Sequence, residues 1–448
     1  MEIKEELEVP DDQSDGQTVG QEIEAVEEEP LSNEEYLQTL LETARSAVRP
    51  LSVLTAAAKN NALEAMADGL EEATETIIEA NEQDLESFGE DPSRAAMADR
   101  LKLTPERIAG MAKQIREIVA LRDPVGESLG FKKRPNGMRV GRVRVPIGVI
   151  GIIYESRPNV TADAAALCLK SGNVCILRGG SEAIHSNTAI AKVLIEAAHN
   201  AGIPDGALSF LDRPDRELVL DLLKSDQYVD LIIPRGGASL METVTTNSTI
   251  PVIKHDQGVC HIYVDVNADL AQAQQICVNA KVQRPSTCNA LEALLVHEKI
   301  AKPFLVPLAK ELTDAGVEIR GCSKTCEVLP NAKPAQDDDF GKEFLSLVLA
   351  IRVVKDMDQA MDHIETHGSR HTESILTNDY NRALRFLRQV DASAVMINAS
   401  TRLNDGYEFG LGAEMGISTT RLHARGPMGL EDLTCSKYVV YGSGQIRE

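Results

Sequence analysis

The strongest constraint on the fold is a regular alternation of short apolar segments with longer amphipathic segments from residue 149 onward. The first series contains VIGIIYE, NVCILRG, ALSFLD and VDLIIPRGG, and helical patterns separate these segments. A second series begins at residue 268 and includes LEALLV, FLSLVLAIRVV and AVMINAS. Strands joined through helices are typical of parallel, doubly wound sheets. We therefore predict an α/β protein with two doubly wound parallel-sheet domains.

The segments around these two series set the predicted domain boundaries. Residues 34–122 have the apolar spacing of helices, and Asn136-Gly137 between strand-like flanks indicates a hairpin. We expect a ligand between the two domains, at the carboxyl ends of the strands. The predicted units are a tail over 1–35, a first domain over 36–258 with a projecting hairpin at about 128–146, a second domain over 259–400, and a loop with a final strand over 401–448.

The predicted tail is strongly acidic. Residues 1–35 contain fourteen Asp and Glu and one Lys, and few large apolar side chains. Such a composition cannot bury enough apolar surface to fold, so we predict disorder there. A solubilising tail and a docking segment are the two interpretations of its role.

Composition excludes several classes of partner. The net charge of −23 over 448 residues and the absence of Trp argue against a nucleic-acid partner. No apolar run approaches the ~20 residues of a membrane helix, and the start lacks the pattern of a secretory signal. The eight cysteines do not pair at zinc-binding spacing. We therefore predict no metal site, no membrane partner, and a reducing, cytoplasmic location.

Cys288 lies in a break between a helical and a strand-like segment. The break reads QRPSTCNA, and Pro285 within it cannot continue the preceding helix. A thiol on such a turn is easier to reach than one on a packed helix face. Cys288 is therefore a candidate nucleophile, with an inert filler cysteine as the alternative.

Two Arg-Gly-Gly sequences each follow a predicted buried strand and precede a predicted helix. Glycines let a phosphate approach the backbone, and a helix N-terminus attracts an anion. Two such turns favour a dinucleotide, whereas ordinary turns are the alternative. The candidate cofactor-binding residues are Arg178, Gly179, Gly180 and Ser181 in the first turn, and Arg235, Gly236 and Gly237 in the second.

Two further segments carry more polar groups than structure alone requires. In YESRPNVT, Glu155 and Arg157 suit a zwitterionic substrate, and Asn159 can donate a hydrogen bond. The alternative is a helix N-cap at Asn159 or Thr161. The glycine-rich stretch 398–430 is long, and loops of this length are usually functional. Its cations suit an anionic substrate, with surface or interdomain ion pairs as the alternative. These cations are Arg402, Arg421, His423 and Arg425.

Four segments together resemble one enzyme family, the gamma-glutamyl phosphate reductases (glutamate-5-semialdehyde dehydrogenases) of the aldehyde dehydrogenase superfamily. The resemblance covers about residues 36–448 and leaves the tail outside. The segments are QRPSTCNALEALLVH, YESRPNVTADAAALCLKSGN, VKDMDQAMDHIETHGSRHTESI and NASTRLNDGYEFGLGAEMGISTTRLHARGPMGL.

The resemblance implies a reaction and a partner set. The reaction is the NADPH-dependent reduction of gamma-glutamyl phosphate to glutamate 5-semialdehyde and phosphate, the second step of proline biosynthesis from glutamate. It also implies a homo-oligomer, either a dimer or a tetramer, formed through the hairpin and the final strand. A functional association with glutamate 5-kinase is a further expectation.

The resemblance also assigns roles to residues of this sequence. Cys288 is the nucleophile that carries a thioester, and Asn159 with the Cys288 backbone N–H stabilises the oxyanion. Glu343 contacts the nicotinamide ribose, and Arg178 favours a 2′-phosphate. The expected substrate ligands are Arg157, Arg402 and Arg425 for the anionic groups and Glu155 for the ammonium group.

One difference from the wider superfamily bears on the reaction. Where hydrolytic aldehyde dehydrogenases have a Glu that activates water, this chain reads KHDQGVCHIYVD over 254–265, without a Glu. The absence suits an enzyme that protects its thioester from water, although Asp256 is an alternative base. The rival interpretations are a hydrolytic aldehyde dehydrogenase and a catalytically silent NADP-binding partner of the preceding kinase.

Overall fold

The computed structural model describes residues 31–89, 95–254 and 257–447. Residues 1–30 of the predicted tail and Asp256 lie outside the described residues. Helix α1 begins at Asn33, so the last three residues of the predicted tail are helical. Ser32 starts this helix with a capping box, in which its side chain accepts the Glu35 N–H and Glu35 accepts the Ser32 N–H.

The first part of the described chain contains helices α1–α9 and strands β1–β6. In chain order, the elements are α1 Asn33–Leu51, α2 Ala56–Glu72, α3 Thr74–Phe88, α4 Ala95–Leu101, α5 Pro105–Ala120, β1 Ser128–Lys133, β2 Arg139–Pro146, β3 Val149–Tyr154, α6 Asn159–Lys170, β4 Val174–Arg178, α7 Ile184–Asn200, β5 Leu208–Phe210, α8 Arg216–Leu222, β6 Leu231–Arg235 and α9 Ala238–Asn247.

The second part contains helices α10–α14 and strands β7–β16. In chain order, the elements are β7 Cys260–Val264, α10 Leu270–Val282, β8 Leu291–His297, α11 Ala301–Asp314, β9 Glu318–Gly321, α12 Ser323–Val328, β10 Lys333–Pro334, β11 Val348–Val354, α13 Met357–His367, β12 Thr372–Leu376, α14 Tyr380–Gln389, β13 Ala394–Ile397, β14 Ile417–Ser418, β15 Gly426–Pro427 and β16 Thr434–Tyr441.

Two parallel sheets confirm the predicted α/β class. The first sheet has the order β5-β4-β3-β6, and the second has the order β10-β9-β11-β8-β7-β12-β13. Neighbouring strands in both sheets are parallel. The crossovers between them run through helices, as parallel pairing requires.

The second sheet is covered by helices on both faces. Leu294 and Val296 of β8 pack in one apolar cluster with α10 and α11, whereas Leu295 packs in another with α13 and α14. This division follows the two-residue alternation of side chains along a strand. Cover on both faces also explains why all seven residues of β8 are buried, Glu292 and His297 included.

The predicted hairpin forms a third sheet. Strands β1 and β2 are antiparallel, and Gly137 in their turn has a φ of 93°, which favours glycine. Strand β16 pairs with β2 from Thr434↔Pro146 to Tyr441↔Arg139. The final strand therefore pairs with the hairpin of its own chain, and its role in an oligomer stays a prediction.

Strand β11 is shorter than its sequence predicts. The apolar run FLSLVLAIRVV predicts a strand from residue 344, but β11 begins at Val348. Leu345 has a φ of 52°, a left-handed conformation that no strand residue adopts. The chain before β11 is therefore a turn, and this turn carries Glu343.

Candidate active site

The Cys288 loop connects α10 to β8 and lies between the two parallel sheets. Its turns are closed by the Thr287 N–H to Arg284 carbonyl bond of 3.3 Å and the Ala290 N–H to Thr287 carbonyl bond of 3.0 Å. Cys288 is half-buried on this loop. The prediction that the thiol sits on a turn and not on a helix face is therefore confirmed.

The site uses different ends of the two sheets. Arg178 and Arg235 end β4 and β6 of the first sheet, as predicted for a ligand at carboxyl ends. Cys288, in contrast, precedes β8, and its carbonyl accepts the thiol of Cys260 at the start of β7, with an S–O distance of 3.1 Å. For the second sheet the prediction is therefore wrong, because its amino ends face the first domain.

The charges around Cys288 act on its thiol in opposite directions. Burial raises the pKa of the Cys288 thiol to about 11, and the nearby carboxylates of Glu343 and Glu414 also raise it. The guanidinium groups of Arg235 and Arg157 lower the same pKa. The thiolate that nucleophilic chemistry needs therefore depends on these two cations.

Arginines are concentrated beside the thiol. Burial lowers the pKa of Arg157 to about 10, and the positive charges of Arg235, Arg100 and Arg284 lower it further. Arg100 also donates to the Ser286 carbonyl, with an N–O distance of 3.0 Å, which ties α4 to the Cys288 loop. Such a group of mutually repelling cations is stabilised by an anion, and gives the site the charge expected for an anionic substrate.

The loop 402–414 contributes to the same site. Arg402 donates to the side chain of Gln283 at 2.8 Å and to the side-chain oxygen of Asn289, which follows Cys288. Asn289 in turn donates to the Asn404 carbonyl at 3.0 Å. Glu414 accepts the Gly406 N–H at 2.8 Å. The sequence did not single out Asn289 or Glu414, although adjacency to Cys288 is a usable signal for Asn289.

Arg425 lies in a different set of contacts. It forms an ion pair of 2.8 Å with Asp391, and Arg421 pairs with the same carboxylate. His423 contacts the Asp432 carbonyl through its Nε2 atom, at 2.5 Å. These contacts favour a role of Arg425 in anchoring the loop, and its assignment to the substrate stays a prediction.

The second Arg-Gly-Gly turn leads into the N-terminus of α9. This helix starts directly after Gly237, whose N–H is held by a carboxylate. A Cβ at Gly236 would lie 2.5 Å from the Glu155 carboxylate, which accepts the Gly237 N–H at 2.8 Å. The Glu155 carboxylate thus holds the backbone of this turn through the Gly237 N–H, a contact that the sequence did not predict.

A cleft of about 540 Å³ extends from this turn along α9 to the second domain. It provides room for an extended ligand beside the helix N-terminus. Residues that line it include Ala238, Met241, Thr245, Lys254, His367 and Ser369.

The first Arg-Gly-Gly turn is occupied by the protein's own side chains. Arg178 is 8% exposed and donates to the carbonyl oxygens of Gly179 and of Pro214, the latter at 3.1 Å. A Cβ at Gly179 would lie 2.1 Å from the amide nitrogen of Asn187, and a Cβ at Gly180 would meet the carboxylate of Glu182. Packing therefore explains both glycines, whereas the guanidinium of Arg178 retains further donors. Ser181 begins a short 3₁₀ turn after them.

Asn159 is the first residue of α6 and is exposed. Its side chain donates to the Asp163 carboxylate, with an N–O distance of 3.1 Å. Thr161 bonds instead to Tyr154, with an O–O distance of 2.6 Å, and no side-chain cap is present on the described helix. The alternative that Asn159 or Thr161 caps this helix is therefore wrong, and a donor role for Asn159 stays open as a prediction.

Glu343 lies on the turn before β11. Burial raises its pKa, and the hydrogen bond from the Gly258 N–H opposes this shift. Its negative charge also raises the pKa of Cys288. Glu343 is therefore linked through Gly258 to the Cys288 loop, and Gly341, two residues earlier, lines the α9 cleft.

Comparisons with known proteins identify the family of this chain. The aldehyde dehydrogenase family model matches residues 20–346 and so begins within the predicted tail. The gamma-glutamyl phosphate reductase of Thermodesulfovibrio yellowstonii is 56% identical over 390 residues, which cover 87% of this chain and 93% of that protein. The enzyme of the same name from Moorella thermoacetica is 54% identical over 412 residues, which cover 92% and 99%.

A solved structure extends the similarity to three dimensions. The crystal structure of gamma-glutamyl phosphate reductase from Thermotoga maritima matches with a TM-score of 0.89 and 48% identity, over 92% of this chain and 100% of that one. Across the parts of the chain that the structure describes, no helix combines the length and apolar character needed to cross a bilayer. On sequence and structure together, the chain belongs to the aldehyde dehydrogenase family and, within it, to the gamma-glutamyl phosphate reductases.

Proposed function

We propose that this protein reduces gamma-glutamyl phosphate to glutamate 5-semialdehyde and phosphate, with NADPH as reductant and a thioester on Cys288 as intermediate. This reaction is the second step of proline biosynthesis from glutamate, and we place it in the cytoplasm. The observation that carries the proposal is the half-buried Cys288 thiol, which lies within the influence of Arg235 and Arg157 on one side and Glu343 on the other.

Members of the aldehyde dehydrogenase family use nicotinamide cofactors, and the residues present suit one. The first N–H groups of α9 after Gly237 suit a phosphate, although Glu155 already holds the Gly237 N–H, and the cleft along α9 fits an extended ligand. Glu343, two residues after Gly341 of the cleft lining, is suited to a ribose hydroxyl. Arg178 retains donors for a 2′-phosphate, which supports NADPH over NADH. When bound, the cofactor supplies the hydride that reduces the acyl group.

The chemistry of the chain's own residues starts at the thiol. The Cys288 thiolate, favoured by Arg235 and Arg157, attacks the acyl carbon, and phosphate leaves to give the thioester. After reduction, the hemithioacetal expels the thiolate and releases the aldehyde. The Cys288 N–H and the Asn159 side chain stabilise the negative oxygen that develops in both steps. One such donor lowers the barrier by about 3 kcal/mol.

The substrate's charged groups match the site's arginines. Its phosphate and α-carboxylate are anions, and the cations grouped around the thiol include Arg157 and Arg402, as predicted, together with Arg284 and Arg100. Arg402 is fixed by Gln283 and Asn289, so it can bind an anion in a defined orientation. Glu155 remains the candidate for the ammonium group, although its carboxylate already accepts the Gly237 N–H.

The reverse reaction separates this proposal from a hydrolytic aldehyde dehydrogenase. Glutamate 5-semialdehyde and NADP would be supplied with and without phosphate, to the wild type and to Cys288→Ala. We expect NADPH formation that requires phosphate (or arsenate) and is lost in the variant. Sustained turnover without phosphate would instead identify a hydrolase, and no turnover in the wild type would favour the silent NADP-binding partner. Association with glutamate 5-kinase and homo-oligomer formation remain predictions.

A further inference from the structure

A buried ion pair joins the two segments that flank the Cys288 loop. The Lys281 ammonium on α10 lies 2.6 Å from the Glu292 carboxylate on β8, with side chains 0% and 1% exposed. Lys281 precedes the loop and Glu292 follows it. A buried pair of this kind gains little net stability over apolar residues of similar size, so its presence calls for another role.

The second carboxylate oxygen of Glu292 reaches the turn that carries Glu343. It accepts the Leu345 N–H, with an N–O distance of 3.2 Å. Leu345 has a φ of 52°, a conformation that a non-glycine residue keeps only when its surroundings hold it. Glu343, two residues earlier, is bonded to Gly258. One carboxylate therefore connects α10, β8 and the Glu343 turn.

We propose that Glu292, whose buried charge Lys281 compensates, is a positioning residue that holds the Glu343 turn at a fixed distance from Cys288 through its acceptor oxygen. Glu292 does not contact substrate or cofactor; it acts through Glu343. Its effect is to keep the distance between the nicotinamide ribose and the thiol constant, so that the acyl group and the reductant meet in one geometry.

The charges of the pair are consistent with this role. Burial raises the pKa of Glu292 to about 7, and Lys281 opposes that shift by its charge and its hydrogen bond. Burial lowers the pKa of Lys281, and Glu292 opposes that shift in turn. Each partner therefore offsets part of the burial penalty of the other, and the Glu292 oxygen that faces Leu345 can accept its N–H.

The inference rests on the proposed function, because it requires Glu343 to contact the nicotinamide ribose. Two double variants separate the role of Glu292 as a hydrogen-bond acceptor from the role of its charge. Lys281→Met with Glu292→Gln keeps a carbonyl that can accept the Leu345 N–H, whereas Lys281→Met with Glu292→Leu has none. Both lack the ion pair, so each is the matched control of the other.

Three measurements are made on the full-length protein: the Kd of NADPH by its fluorescence, amide hydrogen exchange of residues 342–347 without ligand, and alkylation of Cys288 by iodoacetamide. We expect the Leu variant to bind NADPH about tenfold more weakly and to exchange faster over this turn. The Kd of NADPH for the Gln variant stays within about threefold of the wild-type value. Alkylation of Cys288 is similar in all three, because its loop is intact.

Equal Kd values and equal exchange in the two double variants would overturn the inference. If the Leu variant does not fold, as judged by circular dichroism, the Gln double variant alone serves as the test. It keeps the acceptor, so an NADPH Kd more than tenfold above that of the wild type would also overturn the inference. Failure of the proposed function is recognised separately, because the wild type would then show no NADPH-dependent activity.

Discussion

Gly258 lies against the backbone of Cys288 so closely that a Cβ at residue 258 would be 2.0 Å from the Cys288 carbonyl oxygen. The same glycine donates its N–H to Glu343. The segment that enters β7 therefore touches both the Cys288 loop and the Glu343 turn, and only a glycine fits there.

Gly258→Ala tests this contact. The added methyl group meets backbone atoms that cannot move without displacing the Cys288 loop, so we expect about 1–3 kcal/mol lower stability and loss of most turnover. The measurements are thermal unfolding and the phosphate-dependent assay. Gly110→Ala in α5, where a Cβ meets nothing within 4 Å, is the control and should be neutral or slightly stabilising. Full activity of Gly258→Ala would contradict the packing described.

The alkylation rate of Cys288 should depend on its neighbouring charges with opposite signs. Iodoacetamide reacts with the thiolate form of Cys288. The raised pKa of about 11 keeps most of the Cys288 thiol protonated in the ligand-free enzyme. Arg235→Gln removes a cation, raises the thiol pKa further and slows alkylation at a fixed mildly alkaline pH. Glu414→Gln removes an anion, lowers the pKa and accelerates it. Peptide mass spectrometry of iodoacetamide-treated protein measures both rates.

The two variants control for each other, because Gln keeps hydrogen-bonding capacity in each. In the wild type, the rate should climb about tenfold per pH unit and reach no plateau near neutrality. A plateau near neutral pH, or a shift of both variants in the same direction, contradicts the electrostatic account of the thiol.

Arg402 and Arg425 should differ in their effects on substrate binding. Arg402 is held beside Cys288 by Asn289, so Arg402→Ala should raise the KM of the semialdehyde about tenfold, as expected for a lost charge-assisted bond of about 1.5 kcal/mol. Arg425→Ala breaks the pair with Asp391 and should lower the Tm with little change in KM. Initial rates and thermal unfolding distinguish the two variants. An equal rise in KM in both would instead support Arg425 as a substrate ligand.

Cofactor preference should depend on Arg178. Its guanidinium bonds two backbone carbonyls and keeps further donors, so we expect Arg178→Ala to reduce the preference for NADPH over NADH about tenfold. Arg178→Lys retains the charge and should keep most of the preference. The ratio of kcat/KM for the two cofactors is the measurement. Comparable efficiency with NADH in the wild type would remove the basis for this assignment.

Local patterns in the sequence were sufficient for most elements and for the turn that carries Cys288. Pro285 ends α10 whatever its surroundings, so the thiol of Cys288 had to lie on a turn. Apolar runs such as that of β8 predicted buried strands because central parallel strands are apolar on both faces.

Contacts between distant residues could not be predicted in the same way. The turn at Leu345 interrupts a run of strand-forming residues because Glu292 binds its N–H, and nothing local signals that bond. The support of Gly237 by Glu155 likewise joins residues 82 positions apart in sequence. The direction of the second sheet was also missed, because strand patterns do not reveal which end faces the other domain.

The central claim is that the glutamyl group is carried on Cys288, and trapping this adduct tests it most directly. The enzyme would be incubated with glutamate 5-semialdehyde and NADP in the absence of phosphate, digested and mapped by mass spectrometry. The account predicts one equivalent of NADPH and a glutamyl adduct on Cys288 that disappears when phosphate is added. An adduct on another side chain, or the same NADPH yield from Cys288→Ala, would contradict it.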